Sequence, residues 1–162
     1  MFDAHADFNT ATLTPSGHIP AVNPKDSRQI GIRIVDEGEK RMVHDTDIEV
    51  FDMRYIDAMG MRHAMELALA LLGPNTHLHV SLNVDFLEPD IAPSGGPTSR
   101  EAQLYLEMVA DTGQLASLDI VELNPALNVR NQTAELAVDL IESLFGKSTL
   151  MRKPASPHKA RR

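Results

Sequence analysis

Short apolar runs of strand length alternate along this chain with longer stretches in which apolar residues recur at helical spacing. The strand-length runs lie at 29–35, 49–53, 78–82 and 118–123. The helical patterns cover about 59–72, 100–112 and 132–145, and a glycine follows each of them. Strands that alternate with helices in this way predict an α/β domain with a mainly parallel sheet.

The length and composition limit how the chain is organised. At 162 residues it has the size of a single domain, which we place at 1–150. Residues 151–162 contain five basic residues, two prolines and no acid, and this composition without periodicity predicts a disordered basic tail. We find no run of about 20 apolar residues and no signal peptide, and there is no cysteine. We therefore expect no membrane partner and a cytoplasmic location.

The net charge of −8 conceals a more acidic body. When residues 151–162 are set aside, ten basic residues stand against all 23 acidic ones. A body of this charge argues against nucleic acid as a partner and suits a cationic ligand or metal ions.

Two carboxylates and an imidazole stand near the start of the chain at alternate positions, as Asp3, His5 and Asp7. In an extended backbone these side chains point to one side, where the two carboxylates repel each other unless a cation lies between them. Asp85 follows the apolar run at 78–82, and parallel sheets place ligands at the C-terminal ends of their strands. These residues predict a metal site; the alternative is a solvated acidic loop beside a buried strand.

Two further pairs of polar residues each permit two interpretations. Asp36 and Glu39 follow the apolar run at 29–35, which places them at the same edge of the sheet as Asp85, in a first helical turn, where the dipole favours acids, or in both at once. His77 and His79 alternate into the next predicted strand. We interpret these histidines as structural residues rather than metal ligands.

Three blocks of sequence together resemble the ureohydrolase superfamily. They are Asp-Ala-His-Ala-Asp-Phe-Asn at 3–9, Ser-Leu-Asn-Val-Asp at 81–85, with prolines at 89 and 93, and Glu-Leu-Asn-Pro at 122–125. Within that superfamily, the spacing and the stretch Thr-Ser-Arg-Glu at 98–101 are closest to arginase. The resemblance runs from the start of the chain to about residue 151. It implies a three-layer α/β/α fold, a pair of manganese ions, and hydrolysis of L-arginine to L-ornithine and urea.

The resemblance also implies a role for each residue of the metal site. Asp3 would bridge the two manganese ions and Asp7 would serve the first ion. His5 and Asp85 would serve the second. Asn83 stands at the position of a second bridging aspartate.

For the substrate, the resemblance implies six contact residues. They are Asn9 and Ser16 at the α-carboxylate, Asp36 and Glu39 near the α-amine, and Thr98 and Glu122 facing the guanidinium. Glu122 would supply the buried acid that pairs with the guanidinium group.

The chain also departs from the family pattern. The upstream Gly-Gly-Asp-His block is absent, so we expect the fold to lack its N-terminal strands. Asn83 is neutral and carries a donor beside its oxygen, which supports a bridge between two cations poorly. The segment with the proton-shuttle histidine is shortened, so that Pro20 stands near its place and His18 is the candidate stand-in. The loop at 93–95 is shortened too. We expect at most one manganese ion, weakly bound.

Two classes of function therefore remain open. One is a manganese-dependent amidinohydrolase acting on L-arginine. The other is a catalytically inactive or strongly impaired arginase relative, as a fragment or as a subunit that forms a homo-oligomer. A third alternative, agmatinase-type specificity, is disfavoured by Asp36 and Glu39, which are placed for an amino-acid head group.

Overall fold

The structure, a computed structural model, describes residues 1–6, 23–70, 72–87, 95–124 and 131–147. Along the chain the elements are β1 (Arg28–Ile32), α1 (Glu37–Asp45), β2 (Glu49–Asp52), α2 (Met53–Met59), α3 (Met61–Ala70), β3 (Leu78–Asn83), α4 (Ser99–Asp111), β4 (Leu115–Val121) and α5 (Gln132–Leu144). Single 3-10 turns lie at Pro24–Asp26 and Val84–Phe86. Within the described residues, no helix has the length and apolarity that a bilayer crossing needs. The predicted tail at 151–162 lies outside them.

The strands form two parallel pairs that residue 2 joins. β1 pairs with β2 and β3 pairs with β4, in each case parallel and connected through helix. Phe2 makes parallel bridges to Ile30 of β1 and to Leu82 of β3. The order across the sheet is therefore β2, β1, the segment at residue 2, β3 and β4. The predicted α/β fold with a mainly parallel sheet is confirmed.

The core lies where α4 covers the centre of this sheet. α4 buries Ala102, Tyr105, Leu106 and Val109, which recur at the spacing of one helical face. The ring of Tyr105 stacks on Phe2 with centroids 6.1 Å apart. α5 and α3 both pack against α4. The first residues of the chain are thus held by the core as well as by the sheet.

Three predicted elements differ from the structure at their boundaries. The helical pattern at 59–72 corresponds to α3, which runs from 61 to 70. α2, at 53–59, was not predicted, and Gly60, with φ +82°, separates the two helices. β1 ends at residue 32 rather than 35, since the N–H groups of Arg33 and Ile34 donate to the carbonyl oxygen of Ala4 instead. β4 begins at 115 rather than 118.

Candidate active site

The segment at residues 1–6 delivers Asp3 and His5 to the C-terminal edge of the sheet. The Asp3 N–H donates to the Ile30 carbonyl oxygen at 3.1 Å, and the Asn83 N–H donates to the Phe2 carbonyl oxygen at 2.9 Å. Further on, His5 bridges to Ile34 beyond the end of β1. The segment is therefore fixed from both sides by backbone hydrogen bonds.

Four of the predicted metal-site residues meet at this edge. The side-chain amide of Asn83 donates to both carboxylate oxygens of Asp3, at 3.1 Å each. The His5 ring Nδ1 lies 3.6 Å from an Asp3 oxygen and 3.8 Å from an Asp85 oxygen. Asp3 is fully buried, whereas His5 and Asp85 are partly exposed. The prediction that these residues come together at one edge agrees with this geometry, while their roles stay predictions.

A cation that the sequence analysis did not single out holds the turn carrying Asp85. The guanidinium of Arg33 donates to the carbonyl oxygens of Asp85, Phe86 and Leu87, at 2.7, 3.2 and 3.1 Å. The only local signal for this residue is a charge that interrupts the apolar run at 29–35. These three carbonyl oxygens lie more than 50 residues further along the chain, so the contact could not be predicted from local pattern.

Glycine at position 31 lets the same turn approach the sheet. Gly31 has φ +90°, and a Cβ there would lie 2.3 and 2.5 Å from two ring carbons of Phe86. From the far side, a Cβ on Gly96 would lie 2.5 Å from the Leu87 carbonyl oxygen. Both neighbours must lack a side chain for the turn to sit where it does.

Asp36 and Glu39 lie just beyond β1 and form the capping box of α1. The Asp36 side chain accepts from the Glu39 N–H at 2.8 Å, and the Glu39 carboxylate accepts from the Asp36 N–H at 2.8 Å. Of the two interpretations, the helix N-terminus is the one that the structure displays. It does not test contact with a substrate amine.

Thr98 caps a helix in the same way, while Glu122 emerges at the site edge. The Thr98 hydroxyl donates to the Glu101 carboxylate at 2.8 Å at the start of α4. Glu122 directly follows Val121, the residue of β4 paired with Asn83. Glu122 is exposed, so the expectation that it is a buried acid is wrong. It adopts φ +62°, a left-handed conformation that costs energy outside glycine. This conformation redirects the chain as it leaves the sheet.

The remaining predicted site residues lie outside the described ranges. They are Asp7, Asn9, Ser16 and His18, and Pro20 lies outside these ranges too. Their assignments stay predictions.

His79 makes cross-strand contacts that fit the structural interpretation. Its Nδ1 lies 2.8 Å from the Ser117 hydroxyl and its Nε2 lies 3.0 Å from an Asp119 oxygen, both on β4.

The Met1 amino group donates to the Arg28 carbonyl oxygen at 2.8 Å. Burial lowers the pKa of this amine to about 6, and this effect outweighs the negative charges of Asp3 and Asp119, which raise the pKa.

A parallel α/β sheet with acid, imidazole and amide side chains at the C-terminal ends of neighbouring strands places the chain in the class of α/β proteins that bind ligands at that edge of the sheet. Comparison with known proteins narrows this class. The model of the arginase family matches residues 1–146. The chain is 39% identical to an arginase of Brucella melitensis over 183 aligned positions, which cover 95% of this chain and 60% of the relative.

Solved structures agree with the sequence match. The crystal structure of an arginase from Bacillus subtilis superimposes with a TM-score of 0.84 at 33% identity, covering 92% of this chain and 63% of that one. An Entamoeba histolytica arginase solved in complex with L-ornithine superimposes with a TM-score of 0.78 at 26% identity, covering 90% and 59%.

The chain belongs to the arginase family. It spans about 60% of the length of the curated relatives it matches. The Brucella alignment extends over more positions than this chain has residues, so the relative has residues inside the matched region that are missing here. This agrees with the internal deletions expected from the resemblance.

The described residues do not fit the manganese pair that the resemblance implies. A bridging ligand needs oxygen lone pairs directed at both ions, but the Asn83 amide nitrogen donates to Asp3 and its oxygen accepts from the Asp85 N–H. Within the described part of the chain, no three acid or histidine side chains are arranged to hold a metal ion. The edge has the right residue types but a different arrangement of donors.

Proposed function

We propose that this chain acts on L-arginine at the edge formed by Asp3, His5, Asn83 and Asp85, and that it releases L-ornithine and urea far more slowly than its relatives do. The observation that carries the proposal is the meeting of these four side chains at the ends of adjacent parallel strands. Membership of the arginase family supports the reaction class, and the L-ornithine complex of the Entamoeba relative supports the product.

Glu122 is the residue we assign to the guanidinium. It leaves β4 beside Asn83 and is exposed, so its carboxylate is available for a paired hydrogen bond to a planar guanidinium group. Carboxylate and imidazole are ligands that suit manganese. We propose manganese binding only for a variant such as Asn83→Asp, in which no amide at position 83 donates to Asp3.

Urea release tests this proposal directly. The purified chain is incubated with L-arginine, with and without MnCl2, beside Glu122→Gln and Asn83→Asp. Removing one partner of a charged pair costs about 2 kcal/mol or more, so Glu122→Gln should release urea at least about thirtyfold more slowly. Asn83→Asp with manganese should raise the rate about tenfold or more, which corresponds to about 1.4 kcal/mol of barrier.

The unfolding temperature of Glu122→Gln shows whether the substitution affects folding. Because the residue is exposed, Glu122→Gln should leave the unfolding temperature unchanged, which separates an effect on activity from one on stability. Agmatine in the same assay tests specificity, and faster release from agmatine than from arginine would overturn the assigned substrate.

An arginase relative without activity is the second candidate. The observation that favours it is the contact of the Asn83 side-chain amide nitrogen with both oxygens of Asp3, which covers the carboxylate on the side where a bridging ligand belongs. Urea release no faster than the buffer blank from the parent chain and from Asn83→Asp would establish this second candidate and reject the first.

A cytoplasmic location and self-association complete the proposal. The lack of cysteine fits a reducing compartment. Val138 and Phe145 lie seven positions apart at α5 and are both exposed, which offers an apolar strip to a second copy. Light scattering of the purified chain, compared with Val138→Ser, measures whether this strip mediates association; a mass of one chain at all concentrations would reject it.

A further inference from the structure

A buried carboxylate is the feature of this fold that most needs explanation. The Asp3 side chain has an exposure of 0%, and its backbone is held in place by the Ile30 carbonyl oxygen. An ionised carboxylate without water is stable only when hydrogen bonds or a cation compensate the lost hydration.

Neutral donors of the described residues contact both oxygens of Asp3. The two oxygens each accept from the Asn83 side-chain amide at 3.1 Å, and one oxygen also accepts from the His5 backbone N–H at 2.8 Å. Hydrogen bonds to an ionised acceptor are stronger than those between neutral groups. The nearest ring nitrogen of His5, at 3.6 Å, is beyond hydrogen-bond distance.

The orientation of the Asn83 amide is determined at its other end. Its oxygen accepts from the Asp85 N–H at 2.8 Å and caps the 3-10 turn at Val84–Phe86. A rotated amide would direct its oxygen at the Asp3 carboxylate and its donors at the Asp85 N–H, losing both contacts. An aspartate at this position would keep the cap but face Asp3 with a second negative charge.

We infer that Asn83 replaces a bound cation opposite Asp3, so that this edge of the sheet is stable without a divalent metal. Asn83 is 3% exposed and lies 80 residues from Asp3, so the contact also joins the first residues to β3. The inference concerns folding and holds whether or not the chain hydrolyses arginine.

Thermal unfolding in EDTA and in 1 mM MnCl2 tests the inference without substrate. The parent chain should unfold at the same temperature in both, within about 1 °C. Asn83→Asp should unfold about 5–10 °C lower in EDTA, because hydrogen bonds to a charge are lost and like charges meet. Manganese should recover part of this loss by binding the folded state.

A swapped pair is the matched control. Asp3→Asn combined with Asn83→Asp retains one amide and one carboxylate, with acceptors for the His5 and Asp85 N–H groups. This variant should unfold near the parent temperature and show no response to manganese. If Asn83→Asp does not fold in EDTA, circular dichroism of the swapped pair in EDTA tests the inference, and it should show a folded chain.

Three results would overturn the inference. They are a rise of more than about 3 °C for the parent chain on adding manganese, parental stability of Asn83→Asp in EDTA, and a swapped pair that fails to fold or that needs manganese. None of these results depends on urea release, so the inference and the proposed function can fail separately.

Discussion

The guanidinium of Arg33 donates a 2.7 Å hydrogen bond to the backbone carbonyl oxygen of Asp85. Arg33 follows β1, whereas Asp85 lies in the 3-10 turn after β3. The same guanidinium reaches the next two carbonyl oxygens. One side chain therefore connects the two strand pairs at the edge where the candidate site lies.

Arg33→Lys should lower the free energy of unfolding by about 1–3 kcal/mol. An ammonium group cannot span three carbonyl oxygens as a planar guanidinium does, and lost partners leave buried acceptors unsatisfied. Urea denaturation measures the change. The matched control is Arg62→Lys on the exposed face of α3, where Arg62 pairs with Glu66 at 2.9 Å and the change should stay within about 0.5 kcal/mol. Equal losses in the two variants would contradict this account.

Gly31→Ala should destabilise the chain far more than Gly60→Ala. Both glycines have positive φ, so both substitutions carry conformational strain of about 1 kcal/mol. Only at Gly31 does the added carbon collide with the buried Phe86 ring, which adds about 1–3 kcal/mol. Thermal unfolding of the two variants measures the difference, and a Gly60→Ala loss as large as that of Gly31→Ala would show that contact with Phe86 is unimportant.

Phe2→Ala should cost about 3–5 kcal/mol, the usual range for removing a buried aromatic ring. Phe2 is in contact with the rings of Phe86 and Tyr105 and bridges both strand pairs. Phe145→Ala is the control, because that ring is 71% exposed and should change the stability of the single chain by less than about 0.5 kcal/mol. Denaturation at low protein concentration compares them; comparable losses would refute the central place of Phe2.

Tyr105→Phe should leave stability near neutral pH unchanged or raise it. The buried Tyr105 hydroxyl has no hydrogen-bond partner among the described residues, so its removal relieves a desolvation cost of about 1–3 kcal/mol. A loss of more than about 1 kcal/mol in chemical denaturation would reveal a partner for the hydroxyl.

The same variant should change the response to alkaline pH. Burial, with the charge of Glu101, raises the pKa of Tyr105 in the folded chain above its usual 10. As pH rises, the unfolded chain therefore releases the hydroxyl proton of Tyr105 before the folded chain does. Above pH 10 the folded state loses stability relative to the unfolded state. Tyr105→Phe should lose less stability than the parent between pH 9 and 11. Parallel curves would show that another group controls the alkaline transition.

The convergence of the site could be predicted from residue type and spacing. Asp3 and His5 alternate, and Asn83 and Asp85 come at the C-terminal end of a predicted strand, so the rule for parallel sheets brings them to one edge. The contact of the Asn83 amide with Asp3 could not be predicted, because Asp3 lies 80 residues away and only the packed structure brings the two side chains together.

Local capping patterns were informative beyond their use in the sequence analysis. Asp36 with Glu39 and Thr98 with Glu101 both have the spacing of a capping box, and both start helices. That spacing alone indicated a structural role beside the one implied by resemblance. Arg33, in contrast, has no local pattern, because its acceptors are backbone carbonyls remote in sequence.

The pairing of Phe2 with Leu82 also has a consequence for synthesis on the ribosome. Translation adds roughly 5–20 residues per second, so residue 82 follows residue 2 after about 4–16 s. Throughout that interval the β-bridge to Leu82 and the hydrogen bonds from Asn83 to Asp3 cannot form. Contacts between residues remote in sequence form later than local contacts, so the helices of this chain can form before the centre of the sheet is assembled.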